Sequence, residues 1–121
     1  MAARQKVTDD EMRATFAALI NMTPSEIEAW HKSPQSKSVG QDSGDGVSVG
    51  VRAGQRTIKL LRSKRAPSAD DIKHMRRVVG FIRRLSAQAP AKNRETSRWR
   101  YALMNWGHDP LNLHDLDNPW R

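Results

Sequence analysis

Between Ser68 and Gln88 the apolar residues Ile72, Met75, Val78, Val79, Ile82 and Leu85 recur three and four positions apart, the period of one helix face. Lys73, Arg76, Arg77, Arg83 and Arg84 fill much of the opposite face. A segment divided in this way must bury one side against other elements and keep the other in water. It opens on Ser68-Ala69-Asp70-Asp71, an N-cap hydroxyl followed by two acids where the helix dipole favours them, and Gln88-Ala89-Pro90 ends it.

The same grammar recurs upstream. Thr8-Asp9-Asp10-Glu11 is a capping box and predicts a helix whose stripe is Met12, Phe16, Leu19 and Ile20. Thr23-Pro24-Ser25-Glu26 is a second box, with proline at the first helical position, where no amide donor is needed. Ile27 and Trp30 are its inward candidates, and Ser33-Pro34 marks its stop. A third helix is expected from about Ser48 to Arg65, with Val51, Gly54, Ile58 and Leu61 on one face and Arg52, Arg56, Lys59 and Arg62 on another. Gly50 and Gly54 weaken it by roughly 1 kcal/mol each against alanine. Close approach of a second backbone and a frayed first turn are equally good explanations. A fifth helix is expected over Ser97 to Trp106, with Gly107 as its stop and Trp99, Leu103 and Trp106 on a shared face.

No segment alternates convincingly as a strand, so the fold class is all-α, a small bundle of about five helices. The length of 121 residues suits one domain with one core. Residues 1–7 read as a flexible tail and 8–121 as a single helical domain. Residues 33–47, rich in Ser, Gly, Asp, Gln and Lys, read as a mobile loop. Beyond Pro110 the tail carries Leu111, Leu113, Leu116 and Trp120 and is expected to pack partly on the body, since exposure forfeits ~25 cal/mol per Å² of apolar area.

Charge is distributed more unevenly than the net value of +8 suggests. Between Arg52 and Arg100 there are fifteen Lys or Arg and three acids; the remainder holds six basic and ten acidic residues. Such a block repels itself unless an anionic partner relieves it. The absence of cysteine excludes disulfides and cysteine-based zinc sites and fits the reducing cytoplasm. No apolar run approaches the ~20 residues of a membrane span.

Several motifs carry a resemblance. Asn21-Met22-Thr23, Lys37-Ser38-Val39-Gly40, Ser48-Val49-Gly50 and His74-Met75-Arg76-Arg77-Val78-Val79-Gly80 resemble a bacterial family known only as a domain of unknown function, the 3140 family. The longest and most specific motif is the run from Ser97 to Pro110, Ser-Arg-Trp-Arg-Tyr-Ala-Leu-Met-Asn-Trp-Gly-His-Asp-Pro. The resemblance spans roughly residues 12–111. Some members of that family are labelled DNA-binding protein. The resemblance therefore implies DNA as partner, while assigning no residues to the task.

The residues themselves supply the candidates. Arg52, Arg56, Lys59 and Arg62 of the third predicted helix, and Lys73, Arg76, Arg77, Arg83 and Arg84 of the fourth, form cationic stripes opposite apolar ones, with Lys64 and Arg65 in the short connection between the two. If the apolar stripes pack together, the basic ones flank the pair and can neutralise several phosphates. Guanidinium forks suit phosphate oxygens. Arg98 and Arg100 flank Trp99 and join the set, although core packing is the more ordinary fate of that tryptophan. Few Asn or Gln stand on the fourth helix to read bases, so backbone contact with low sequence specificity is expected, to DNA, with RNA not excluded. The rival expectation is a protein–protein or homodimerisation module pairing an acidic N-terminal helix face with the basic middle of another chain. His108-Asp109 and His114-Asp115 near Asp117 match no standard metal spacing, and no nucleophile or phosphate-loop motif occurs, so neither a metal, a cofactor nor an enzymatic activity is expected.

Overall fold

The computed structural model describes residues 7–40, 44 and 46–114. Among these, six α-helices and one 3-10 turn make an all-α fold. The helices are α1 (Asp9–Leu19), α2 (Pro24–His31), α3 (Pro34–Lys37), α4 (Val49–Arg62), α5 (Ala69–Ser86) and α6 (Arg98–Asn105), with the 3-10 turn at Arg94–Thr96. No helix among the described residues is long and apolar enough to cross a membrane.

The helix starts are those the capping signatures predict. Thr8 and Thr23 each accept from the backbone amide of a glutamate three residues on, and Glu11 and Glu26 each accept from the threonine amide in return. Ser68 and Asp71 close a third reciprocal box at α5. Ser48 caps α4 and Ser97 caps α6. The helix expected to run to about Arg65 ends at Arg62, capped by Ser63, and Lys64 and Arg65 stand in the connection to α5. The segment expected as loop from Ser33 holds an additional helix: Ser33 accepts from the Ser36 amide and Pro34 takes the first position. Ser36 and Val39 are buried, which fixes that stretch against the body. The remainder of the expected loop, 41–43 and 45, lies outside the described residues, as do the tail 1–6 and Leu116 and Trp120.

The core is one cluster. Met12, Phe16 and Ile20 from the α1 region meet Ile72, Met75 and Val79 of α5; Ile27 and Trp30 of α2 and Leu103 and Met104 of α6 complete its centre. The α1–α5 and α2–α4 pairs make two layers, and α6 touches α2, α3, α4 and α5 together. The eight-residue α6 thus touches both of the longest helices, α4 and α5. The apolar stripes of α4 and α5 do not pack chiefly on each other: α4 packs on α2 and α6, and α5 on α1 and α6.

The buried face of α4 also differs from expectation. Gly50, Ala53, Gly54, Thr57 and Ile58 are buried, Val51 is half-buried and Leu61 is exposed. The inward face is thus made of small residues, and its smallness is what α6 requires. A Cβ on Gly54 would run into the Asn105 carbonyl oxygen and lie 2.6 Å from Cε1 of His31. One on Gly50 would lie 2.9 Å from Nε1 of Trp106. Both glycines admit a neighbouring element, and α4 already runs regularly from Val49, so no frayed turn is needed to explain them.

Candidate nucleic-acid interface

The run from Trp99 to Asp109 is buried or half-buried throughout, and Trp99, Arg100, Asn105, His108 and Asp109 make side-chain polar contacts along it. Trp99 donates from Nε1 to the Leu85 carbonyl at 2.7 Å, tying the start of α6 to the end of α5. Asn105 accepts at Oδ1 from Trp30 Nε1 at 2.8 Å and from the Ser36 hydroxyl, and its backbone carbonyl accepts from His31 Nε2 at 2.9 Å. A carbonyl can only accept, so that imidazole nitrogen carries the proton. Burial lowers the His31 pKa, which keeps the ring neutral. Trp106 stacks on Phe81 with ring centres 4.1 Å apart. Gly107, at φ +96°, closes α6: its amide donates to Met104 and the next one to Leu103, the two bonds of a Schellman motif.

Arg100 belongs to this interior. Its Nε and Nη2 donate to the two carboxylate oxygens of Asp109 at 3.0 and 2.9 Å, and both side chains are almost wholly buried, at 3% and 0% exposure. Burial by itself would raise the Asp109 carboxyl; the Arg100 guanidinium and the backbone amides of Leu111 and Leu113 outweigh it and hold the group at about 2. His114 sets Nδ1 3.3 Å from the same carboxylate. Arg100 is therefore corrected from surface cation to buried ion pair, and no group of metal-ligating side chains gathers among the described residues.

The remaining predicted cations divide by position. Arg62 lies across from α2, where Glu28 receives it through two bonds of 3.0 and 2.7 Å. That hydrogen bonding lowers the Glu28 pKa. Arg76 reaches α1, donating to the Val7 carbonyl at 2.9 Å and to Asp9 at 3.1 Å. Arg98 donates to the Ser38 carbonyl at 2.9 Å. Lys59 is exposed on the side of α4 that faces α2. Lys64, Arg65, Lys73 and Arg83 are exposed.

Arg52, Arg56, Arg77 and Arg84 are brought together. Two adjoining recesses of about 300 and 310 Å³ lie along the groove where α4 approaches α5. Arg52 and Arg56 flank the first from α4, Arg84 flanks the second from α5, and Arg77 borders both. The Arg77 guanidinium carbon sits 5.3 Å from the Trp106 ring centre, a cation–π distance that orients it without neutralising it. Asp71 is the acid within ion-pair range of Arg56, at 3.8 Å, and it is shared with Arg65 at 3.6 Å. Asp71 is buried and the two arginines are exposed, and contacts of that length hold an exposed guanidinium loosely.

His74 forms the groove floor and was not singled out by its sequence context. It is buried, and its Nε2 lies 3.1 Å from the Thr57 hydroxyl. Burial, then the charges of Arg56 and Arg77, push the imidazole down to about 4, so it is uncharged at neutral pH. The signal available in sequence was its place one turn before Val78 on the apolar face of α5.

Fold and groove together define a small all-α protein with a cationic groove set on an uncharged polar joint. Residues 15–104 match the family model described as "Protein of unknown function (DUF3140)", and the chain belongs to that family. No curated protein and no solved structure matches the chain.

Proposed function

We propose that this protein binds nucleic acid in the cytoplasm, as a binding protein and not an enzyme. DNA is the favoured partner, held with low sequence specificity through phosphate contacts from Arg52, Arg56, Arg77 and Arg84. The observation that carries the reading is the convergence of these four guanidiniums, from two helices, on one groove. Lys73 and Arg83 extend the cationic surface along the outer side of α5. Charge of this kind attracts a polyphosphate backbone without reading bases.

The test is a gel-shift titration on mixed-sequence duplex DNA at several salt concentrations. Four phosphate contacts give log Kobs against log salt a slope of roughly −3.6. Reversal of Arg52 and Arg84 to glutamate should flatten that slope by about two contacts' worth. No binding at low salt sinks the reading, and parallel titrations with duplex and single-stranded RNA decide between the nucleic acids. The rival reading, a homodimer in which acidic N-terminal helices meet the basic middle of a second copy, has less support. Asp9 and Glu28 already pair with Arg76 and Arg62 inside one chain.

A further inference from the structure

The other flank of α4 carries a second concavity of different chemistry. A cleft of about 910 Å³ opens between α2 and α4, with α3 and the turn after it at its end. Val39, Val51 and Ile58 give it an apolar lining, and the neutral imidazole of His31 adds a flat, uncharged wall. Lys32, Lys37 and Lys59 stand at its rim from three separate elements, all exposed. Among the described residues none of the three lies within ion-pair distance of an acid. Arg62 also borders the cleft, but its charge is met by Glu28.

We propose that this cleft binds a small organic anion with an apolar body, such as an aromatic or aliphatic carboxylate or sulfonate. The volume is of the size that holds a ligand of a few rings or a medium acyl chain. An apolar lining favours burial of the hydrocarbon part. The three lysines supply charge complementarity for an acidic head that remains at the mouth. A nucleic-acid backbone fits this place poorly, because it would touch the rim and leave the apolar lining unused. The site stands apart from the groove of the proposed nucleic-acid interface: α4 turns Arg52 and Arg56 towards α5, and Val51, Gln55, Ile58 and Lys59 towards α2.

The experiment uses the whole chain and two dyes that share an aromatic body. Anilinonaphthalene sulfonate carries the acidic head, and N-phenylnaphthylamine lacks it. The sulfonate dye should brighten saturably with one site per chain, and the neutral dye should bind about tenfold more weakly, the worth of one charge-assisted contact. Lys37→Glu with Lys59→Glu should weaken the sulfonate dye by about tenfold or more and leave the neutral dye unchanged. Gln55→Trp, at an exposed position on the cleft wall, should abolish binding of both by filling the space. Arg52→Glu with Arg84→Glu should leave both dyes unaffected, so the cleft and the groove fail or succeed separately. Thermal melts of every variant confirm that the fold is retained. Absence of saturable binding overturns the proposal. So does equal affinity for the two dyes, or a sulfonate affinity that survives both Gln55→Trp and the lysine reversals, which would place the dye elsewhere.

Discussion

Residues 97–109 and the outer faces of α4 and α5 are both rich in arginine and polar groups, yet they use them in opposite ways. In the first region, Arg98 apart, charge is cancelled and hidden: Arg100 meets Asp109, Asn105 meets Trp30 and Ser36, and the His31 ring donates to the Asn105 carbonyl. In the second, four guanidiniums line a groove at the surface, and Arg56 among them shares the carboxylate of Asp71 with Arg65. The longest of the motifs read from the sequence therefore serves the architecture. The less distinctive basic stripes are what remains for a partner. A long, specific motif is no guide to a binding site when its polar atoms point at one another.

The sharpest way to break that contrast is at the buried pair. Arg100→Ala strands the Asp109 carboxylate in the interior and should cost about 3–5 kcal/mol, enough to lose most of the folded population. Chemical denaturation measures it. A loss under about 1 kcal/mol would mean that the pair behaves as a surface one. Because the Asp109 pKa is depressed, its contribution is present above 3.8, the ordinary value, and is lost as pH falls through about 2.

Gly54 and Gly80 offer a paired test of the same idea within single helices. Gly54→Ala meets the Asn105 backbone and should destabilise by about 2 kcal/mol, the overpacking cost outweighing the helix gain. Gly80→Ala meets the far end of the flexible Arg84 side chain at 3.1 Å and should stabilise by up to about 1 kcal/mol. Equal effects at the two sites would remove the case that α4 is glycine-lined for the sake of α6.

The joint between the regions is sensitive to pH. His74 is held at about 4 in the folded chain, below its ordinary 6.5, so the unfolded chain binds more protons between those values. Stability is therefore full above 6.5 and falls as pH drops from there through 4, with the Tm declining by roughly 5 °C or more. His31 pushes in the same direction. A His74→Gln variant should lose most of the decline, and an unchanged profile would relieve His74 of the role. The smallest effect on stability is expected from Arg52→Glu with Arg84→Glu: a ΔΔG within about 0.5 kcal/mol for each substitution, alongside the loss of nucleic-acid affinity. A large drop in Tm would show that the groove cations also hold the fold.

The parts of the structure legible in sequence were those fixed by neighbours along the chain. Thr8, Thr23 and Ser68 act within a single turn, so their boxes could be read directly. The stripe of α5 was equally plain, since its large aliphatic residues carry the periodicity. On α4, Gly54 and Ile58 were placed on the inward face correctly, but Gly50, Ala53 and Thr57 were not, because such small or polar residues scarcely register as apolar beside Val51 and Leu61. The start of α3 did carry a sign: Ser33-Pro34 repeats the hydroxyl–proline opening of Thr23-Pro24. Arg98 and Arg100 look alike two residues apart. Only the distant partners Ser38 and Asp109 separate the one outside from the one inside. In the groove, the four cations were all named from sequence, but their convergence and the floor beneath them depend on how α6 spaces α4 and α5.

The place of Asn105 has a consequence for the order of assembly. Its partners Trp30, His31 and Ser36 lie about seventy residues earlier, so they leave the ribosome long before it does. Until α6 is made, the parts of α2, α4 and α5 that it covers stay open to solvent or to chaperones. Local helices can form during synthesis, yet the domain closes in one late step. A translation pause before residue 97 would therefore prolong the most aggregation-prone interval in the life of the chain.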